Sequence, residues 1–281
     1  MQVLSTKEEV RENTQAARKA GKTVVFVPTM GYLHEGHLSL VREGKQHGDH
    51  VLVSIFVNPT QFAPGEDLDK YPRDEERDLH LLSAEGADAV FLPPAGSMYS
   101  EGHETRVILE KLPHHLCGIS RPTHFTGVAT VVAKLFNLVM PQVAVFGQKD
   151  FQQLAVIRRM VQDLDFPVHI VGVPTVREED GLAMSSRNKY LDPGQRAFAP
   201  ALHQALTAAR EMIRAGETHA AGILEKVMGP IRENPEARVD YAMICDPDSL
   251  ENLTEIQGPA LMALAVFVGP TRLIDNLILT D

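Results

Sequence analysis

Thr23-Val24-Val25-Phe26-Val27-Pro28, then Leu38 to His47, then His50-Val51-Leu52-Val53-Ser54-Ile55-Phe56-Val57: these three successive stretches decide the fold. The first and third are short β-branched and apolar runs, ended by Pro28 and by Asn58-Pro59, which is the pattern of strands buried on both faces. The stretch between them reads as a helix, so the three form a βαβ unit with parallel strands. Working outward, Lys7 to Ala20 is rich in Glu, Arg, Lys and Ala and closes at Gly21 in the manner of a helix C-terminus. Downstream, Asp74 to Glu85 predicts a helix, Ala89-Val90-Phe91-Leu92 a strand, Gly127 to Val139 an apolar helix and Val143-Ala144-Val145-Phe146 a strand. Phe151 to Leu164 then predicts a helix and Val168 to Val173 a strand. Alternation of this kind implies a mostly parallel sheet covered by helices.

The texture changes after Pro174. A polar stretch, Arg177 to Asn188, leads into an Ala-rich helical region, Gln195 to Ala215, and a further helix, Thr218 to Glu233. Strand-like segments follow at Val239 to Cys245, Leu261 to Val268 and Leu273 to Leu279. The expected fold is therefore α/β: a Rossmann-like parallel sheet with helices on both faces over residues 1–175, and a smaller α+β C-terminal domain over residues 176–281.

Composition narrows the function. Among 281 residues, 27 Lys and Arg stand against 37 Asp and Glu, and a net charge of −10 argues against a broad surface for nucleic acid. A small-molecule substrate is the better expectation. The longest uncharged apolar stretch, Ile256 to Thr271, is interrupted by Gly258, Pro259, Gly269 and Pro270, so no membrane span is expected. The first residues, Met1 to Glu9, have neither a basic start nor an apolar core, and a cytoplasmic location follows as the expectation. Cys117 and Cys245 read as two reduced structural thiols.

In open α/β sheets ligands bind beyond the carboxyl ends of the strands, and those junctions are chemically loaded here. After the first strand comes Pro28-Thr29-Met30-Gly31-Tyr32-Leu33-His34-Glu35-Gly36-His37, with two histidines three apart where a helix begins. Unpaired N–H groups and the positive dipole end make such a position suited to phosphate, although a metal pair or plain surface histidines fit the same letters. Asn58-Pro59-Thr60-Gln61-Phe62 offers two amides, or an ordinary proline turn. Gly147-Gln148-Lys149-Asp150-Phe151-Gln152-Gln153 combines a close-approach glycine, a cation and a carboxylate that also suits a helix cap. Gly181-Leu182-Ala183-Met184-Ser185-Ser186-Arg187-Asn188 offers hydroxyls and a guanidinium for phosphate oxygens, or a polar linker. The chain has no P-loop, no Gly-x-Gly-x-x-Gly and no Gly-x-Ser-x-Gly.

Taken in order, these clusters resemble the pantothenate synthetase (pantoate–β-alanine ligase) family of the nucleotidyltransferase superfamily. The resemblance is carried by residues 28–37, 54–62, 121–128 (Arg-Pro-Thr-His-Phe-x-Gly-Val), 146–154 and 173–188, and only in general character by Thr271-Arg272-Leu273-Ile274-Asp275-Asn276. It implies ATP-dependent ligation of pantoate and β-alanine through a pantoyl adenylate, with Mg²⁺ arriving on ATP and with a homodimer as the expected assembly. By the same resemblance His34 and His37 contact ATP phosphates, His37 as proton donor, and Lys149, Ser185, Ser186 and Arg187 bind phosphate, the last three as the counterpart of a Lys-Met-Ser-Lys-Ser loop. Met30, Gly31, Gly147, Gln148, Asp150, Val176 and Met184 belong to the ATP-binding motifs. Gln61 and Gln153 hold pantoate, Met30 closes that pocket and Asn58 lies beside it. Arg121 and His124 border the site. Gln148 stands where many members carry Glu, and Arg77-Asp78 where some show paired acidic residues near magnesium, so no protein ligand to Mg²⁺ is assigned. A dinucleotide-forming nucleotidyltransferase and a nucleotide-binding regulatory module remain as alternatives.

Overall fold

A computed structural model of the chain describes residues 1–94 and 96–280. The elements in chain order are β1 (Gln2–Leu4), α1 (Lys7–Lys19), β2 (Val24–Thr29), α2 (Glu35–His47), β3 (His50–Ile55), α3 (Glu75–Ala84), β4 (Ala89–Phe91), α4 (Cys117–Ser120) and α5 (His124–Val139). After them come β5 (Val143–Gly147), α6 (Phe151–Asp163), β6 (His169–Val173), α7 (Pro193–Phe198), α8 (Ala201–Arg214), α9 (Ala220–Arg232), β7 (Ala237–Cys245), β8 (Leu261–Val268) and β9 (Thr271–Ile278). They divide into two compact units. The first comprises Met1–Leu109, Thr123–Gln148 and Val156–Pro174; the second comprises Glu110–Pro122, Lys149–Ala155 and Thr175–Asp281.

The first unit is built on a six-stranded sheet in the order β1-β4-β3-β2-β5-β6, every neighbouring pair parallel. Alternation along each strand sends Val25, Val27, Val51, Val53 and Val145 to one face, where they pack with Leu40 and Val41 of α2 and Leu82 of α3. Phe26 and Phe146 point to the other face, where each meets Phe136 of α5 edge-on with ring centroids 6.4 Å apart. Burying each such side chain contributes about 1.5–3 kcal/mol. α1, opened by a Thr6/Glu9 capping box, lies beside α5. The expected Rossmann-like sheet with helices on both faces is present.

Two details depart from the sequence reading. β2 continues through Pro28 to Thr29 instead of stopping, because residues alternate in the side to which they offer hydrogen bonds. Val24 bonds toward β5 and Thr29 toward β3, so Pro28 faces the β5 side, where pairing ends at Phe26. Its missing N–H therefore costs no ladder bond. The Ala-rich region 195–215 is two helices rather than one, α7 and α8, divided at Pro200, which supplies no N–H to carry α7 onward. β1 adds an edge strand that the sequence does not signal, since three residues show no period.

In the second unit β7-β8-β9 form an antiparallel sheet. Central β8 is apolar throughout and buried except for a half-buried Phe267, and Met262, Leu264, Val266 and Val268 pack with Leu202 and Leu206 of α8 and Ile223 and Met228 of α9. This is the small α+β domain that the sequence predicts in kind. Among the described residues no helix is long and apolar enough to cross a membrane. Cys117 and Cys245 are both free and buried, and burial pushes the Cys245 thiol up to about 12.

Candidate active site

The point where connections diverge, β2 between β3 and β5, marks where a doubly wound sheet binds its ligand. The chain leaving β2 is fixed there atom by atom. Thr29 Oγ1 donates to Ser54 O at 2.8 Å and accepts from Gly31 N at 3.2 Å. Gly31 has φ +81°, and a Cβ there would lie 2.8 Å from Ile55 Cγ2 and 3.1 Å from an Asp78 carboxylate oxygen, so only glycine fits. The next two amides, Tyr32 N and Leu33 N, donate to the two oxygens of Asp78 at 2.6 and 2.7 Å. Asp78 is buried on α3; burial raises its carboxyl above the usual range, while these two bonds and Arg77 pull it back.

This turn delivers His34 as the N-cap of α2. Gly36 N donates to His34 Nδ1 at 3.2 Å, and His34 N donates to His37 Nδ1 at 3.3 Å, a capping box built from two imidazoles. A backbone N–H only donates, so each Nδ1 is an acceptor and each ring carries its proton on Nε2. The ring centroids lie 4.1 Å apart. Two neutral Nε2–H donors thus stand at a helix N-terminus, beside the positive end of its dipole, which suits an anionic group.

Beyond β3, Asn58 caps a 3-10 turn formed by Pro59–Gln61. Its amide nitrogen donates to Gln61 Oε1 at 3.2 Å and to Gly127 O at 3.1 Å, and its oxygen accepts from Thr60 Oγ1 and Tyr99 Oη, each at 2.9 Å. Gln61 Nε2 approaches Met30 Sδ at 3.0 Å, and His124 Nδ1 donates to Gln61 O at 2.9 Å. Met30, Asn58 and Gln61 are therefore brought together, with His124 holding the turn from α5. Gly147, half-buried, is the last residue of β5, and Gln148, also half-buried, follows it.

In the second unit Lys149 opens the segment that runs into α6, and its carbonyl accepts from Asn276 Nδ2 at 2.8 Å. Asp150 is exposed and Gln153 half-buried one turn further on. Val176 O accepts from Met184 N at 3.0 Å, closing a tight loop, and Ser185 Oγ caps the 3-10 turn Ser186–Tyr190 by accepting from Arg187 N at 3.2 Å. That loop is braced by Arg177, whose guanidinium makes a two-pronged pair with Asp275 at 2.7 and 2.9 Å. Val176, Met184, Ser185, Ser186 and Arg187 are thereby one local construction.

The family model described as Pantoate-beta-alanine ligase matches residues 2–278. The chain belongs to that family. It is 58% identical over 279 residues to the pantothenate synthetase of Desulfatibacillum aliphaticivorans, covering 99% of each chain, and 53% identical over 281 residues to that of Geobacter sulfurreducens, covering 100% and 99%. Its structure is similar to pantothenate synthetase from Thermus thermophilus, with a TM-score of 0.94 at 49% identity and full coverage of both chains. It is also similar to the pantoate–β-alanine ligase of Francisella tularensis solved with β-γ ATP and β-alanine, with a TM-score of 0.81 at 30% identity, covering 100% and 99%.

Against the family's motifs, two residues carry more geometry than their letters announce. In the sequence Asp78 stands out only as a departure from an acidic pair, yet it anchors the turn before His34. Its signal is its phase: Asp78 stands four residues before buried Leu82, a carboxylate on the apolar stripe of α3. Asn276 sits inside a segment that reads as an apolar strand, and a polar pair there, Asp275-Asn276, is the corresponding clue. For Mg²⁺ the described residues hold no cluster of three or more His, Cys, Asp or Glu suited to a metal, and both oxygens of Asp78 are taken by backbone N–H groups. Among the described residues, the protein offers the ion no cage of its own.

Proposed function

We propose that this chain is an ATP-dependent ligase that joins pantoate to β-alanine through a pantoyl adenylate, releasing pyrophosphate and then AMP. The observation that carries the reading is the pair of Nε2–H imidazoles on the N-terminus of α2, at the carboxyl end of β2, in a chain of this family. The ATP and β-alanine bound by the relative from Francisella tularensis support the same substrates here. In the first step the pantoate carboxylate attacks the α-phosphorus in line, and negative charge builds on the phosphoryl oxygens and the departing pyrophosphate. Fixed donors and cations therefore matter more than a nucleophilic side chain. His34 and His37 supply Nε2–H donors, with Lys149, Ser185, Ser186 and Arg187 as further phosphate-binding groups. Gly31, Gly147, Gln148, Asp150, Val176 and Met184 are assigned to ATP. Gln61 and Gln153 hold pantoate, Met30 borders it, and Asn58 keeps Gln61 in place. In the second step the β-alanine amine attacks the activated acyl carbon and gives up a proton as the C–N amide bond forms, and the acyl carbon–oxygen bond breaks with its electron pair leaving on AMP. Mg²⁺ enters on the ATP phosphates.

Residues 1–175 are assigned as the ATP- and pantoate-binding domain and 176–281 as a lid domain, since a mixed anhydride left in water would hydrolyse. A homodimer in the cytoplasm belongs to the same reading. Mass spectrometry of a reaction containing ATP, pantoate and β-alanine tests it. An amide of the two substrates together with AMP is expected; a dinucleotide product, or bound ATP with no AMP formed, overturns it in favour of another nucleotidyltransferase or of a regulatory module.

A further inference from the structure

Strand β9 carries a polar pair, Asp275-Asn276, between apolar neighbours, Leu273-Ile274 before it and Leu277-Ile278 after it. Neighbouring residues on a strand point to opposite faces, so Asp275 and Asn276 address different parts of the second unit. Asp275 accepts both prongs of Arg177 and also the Asn276 backbone N–H at 2.8 Å, while Arg177 donates to Gly181 O at 3.1 Å and to Asn276 O at 3.4 Å. Asn276 is thus gripped on its own main chain from two directions. Its side chain then donates to Lys149 O at 2.8 Å. Asp275 and Asn276 are both buried, where a polar side chain costs stability unless its bonds are made in full.

We infer that Asn276 is a positioning residue for the adenylation step: through the Lys149 carbonyl it fixes the main chain that carries the Lys149 ammonium, and the Asp275–Arg177 pair fixes Asn276 in turn. The inference rests on the reading of Lys149 as a phosphate-binding cation. A flexible four-carbon stem gives lysine little directional preference, so its placement is set by the backbone from which it starts. Misplacing a charge-stabilising group by about 1 Å costs on the order of 10²-fold in rate. The same Arg177 braces the loop that leads to Ser185, Ser186 and Arg187, which places two phosphate-binding segments of this unit on one bonded network.

A double-mutant cycle tests this, read by pantoate-dependent exchange of labelled pyrophosphate into ATP. Asn276→Ala is expected to lower exchange about 10- to 100-fold with the KM for pantoate unchanged, and to cost less than about twofold when made in Lys149→Ala. Circular dichroism and melting temperature establish that each variant is folded; should the alanine variant fail to fold, Asn276→Ser, which keeps the site polar and leaves room for a water, takes its place. Unchanged exchange in Asn276→Ala while Lys149→Ala is slow overturns the inference and leaves the Lys149 reading standing. Losses that multiply show a structural effect independent of Lys149 and also overturn it. Full exchange in Lys149→Ala removes the Lys149 reading and this inference with it.

Discussion

The amides of Tyr32 and Leu33 have one carboxylate between them, and that places Asp78 at the root of the half of the site that follows β2. Asp78→Ala leaves two N–H donors without an acceptor beside a glycine at positive φ, and a loss of about 2–4 kcal/mol is expected from chemical denaturation. A midpoint within experimental error of the native chain would show that the turn holds itself. His37→Ala is expected to lower the adenylation half-reaction by roughly 10²-fold, the scale of removing one aimed charge stabiliser, with stability changed far less; an unchanged exchange rate would refute its role. At this scale the sequence announces the residues but not their geometry. The His-x-x-His spacing is visible, whereas the fact that each imidazole accepts at Nδ1 depends on backbone N–H groups whose direction no spacing reveals. Asp78 and Asn276 are harder still, since their partners lie 45 or 46 and 127 residues away in the chain.

At the scale of elements, the packing of α5 against the turn at Pro59–Gln61 sets where Gln61 lies. Gly127 permits that contact: a Cβ there would stand 2.5 Å from Thr60 O and 2.7 Å from Gln61 Cα, both main-chain atoms that cannot swing aside. Gly127→Ala therefore forces helix and turn apart. The expected result is a KM for pantoate raised about tenfold with the KM for ATP near the native value, measured by varying each substrate in turn; equal changes in both would contradict the assignment of Gln61 to pantoate. Strands are the most legible elements, because runs such as Val24 to Val27 and Val51 to Val53 carry little besides apolar residues. Boundaries are less so. Pro28 stops a strand only if its missing N–H faces a partner, and Pro200 divides a helix whose alanines alone would continue it.

For the whole molecule, net charge and acid response are the relevant properties. An overall charge of −10 disfavours a polyanion surface, and in the proposed reading Lys149, Arg187 and the α2 N-terminus are the positive groups assigned to a polyphosphate. Two histidines that are assigned no substrate contact, His50 and His203, set a limit toward acid. Burial lowers the pKa of His50, opposed by Asp88, and burial together with Arg177 lowers that of His203. A folded-state value below the unfolded value of about 6.5 means the unfolded chain takes up protons first as pH falls. The stability these groups contribute is whole above about pH 6.5 and is lost as pH drops through their folded values. Calorimetry should show a melting temperature that falls as pH drops below about 6.5, with a shallower fall in His50→Gln; identical slopes would exclude His50. Fold class is legible at this scale because alternation of strand and helix is repeated many times, so no single misplaced boundary changes the architecture. The central claim is that the first half-reaction makes an acyl adenylate from pantoate. Incubation of the purified chain with ATP, Mg²⁺, pantoate and labelled pyrophosphate, with β-alanine omitted, measures it directly: label is predicted to enter ATP only when pantoate is present, and folded protein that exchanges none would contradict the account.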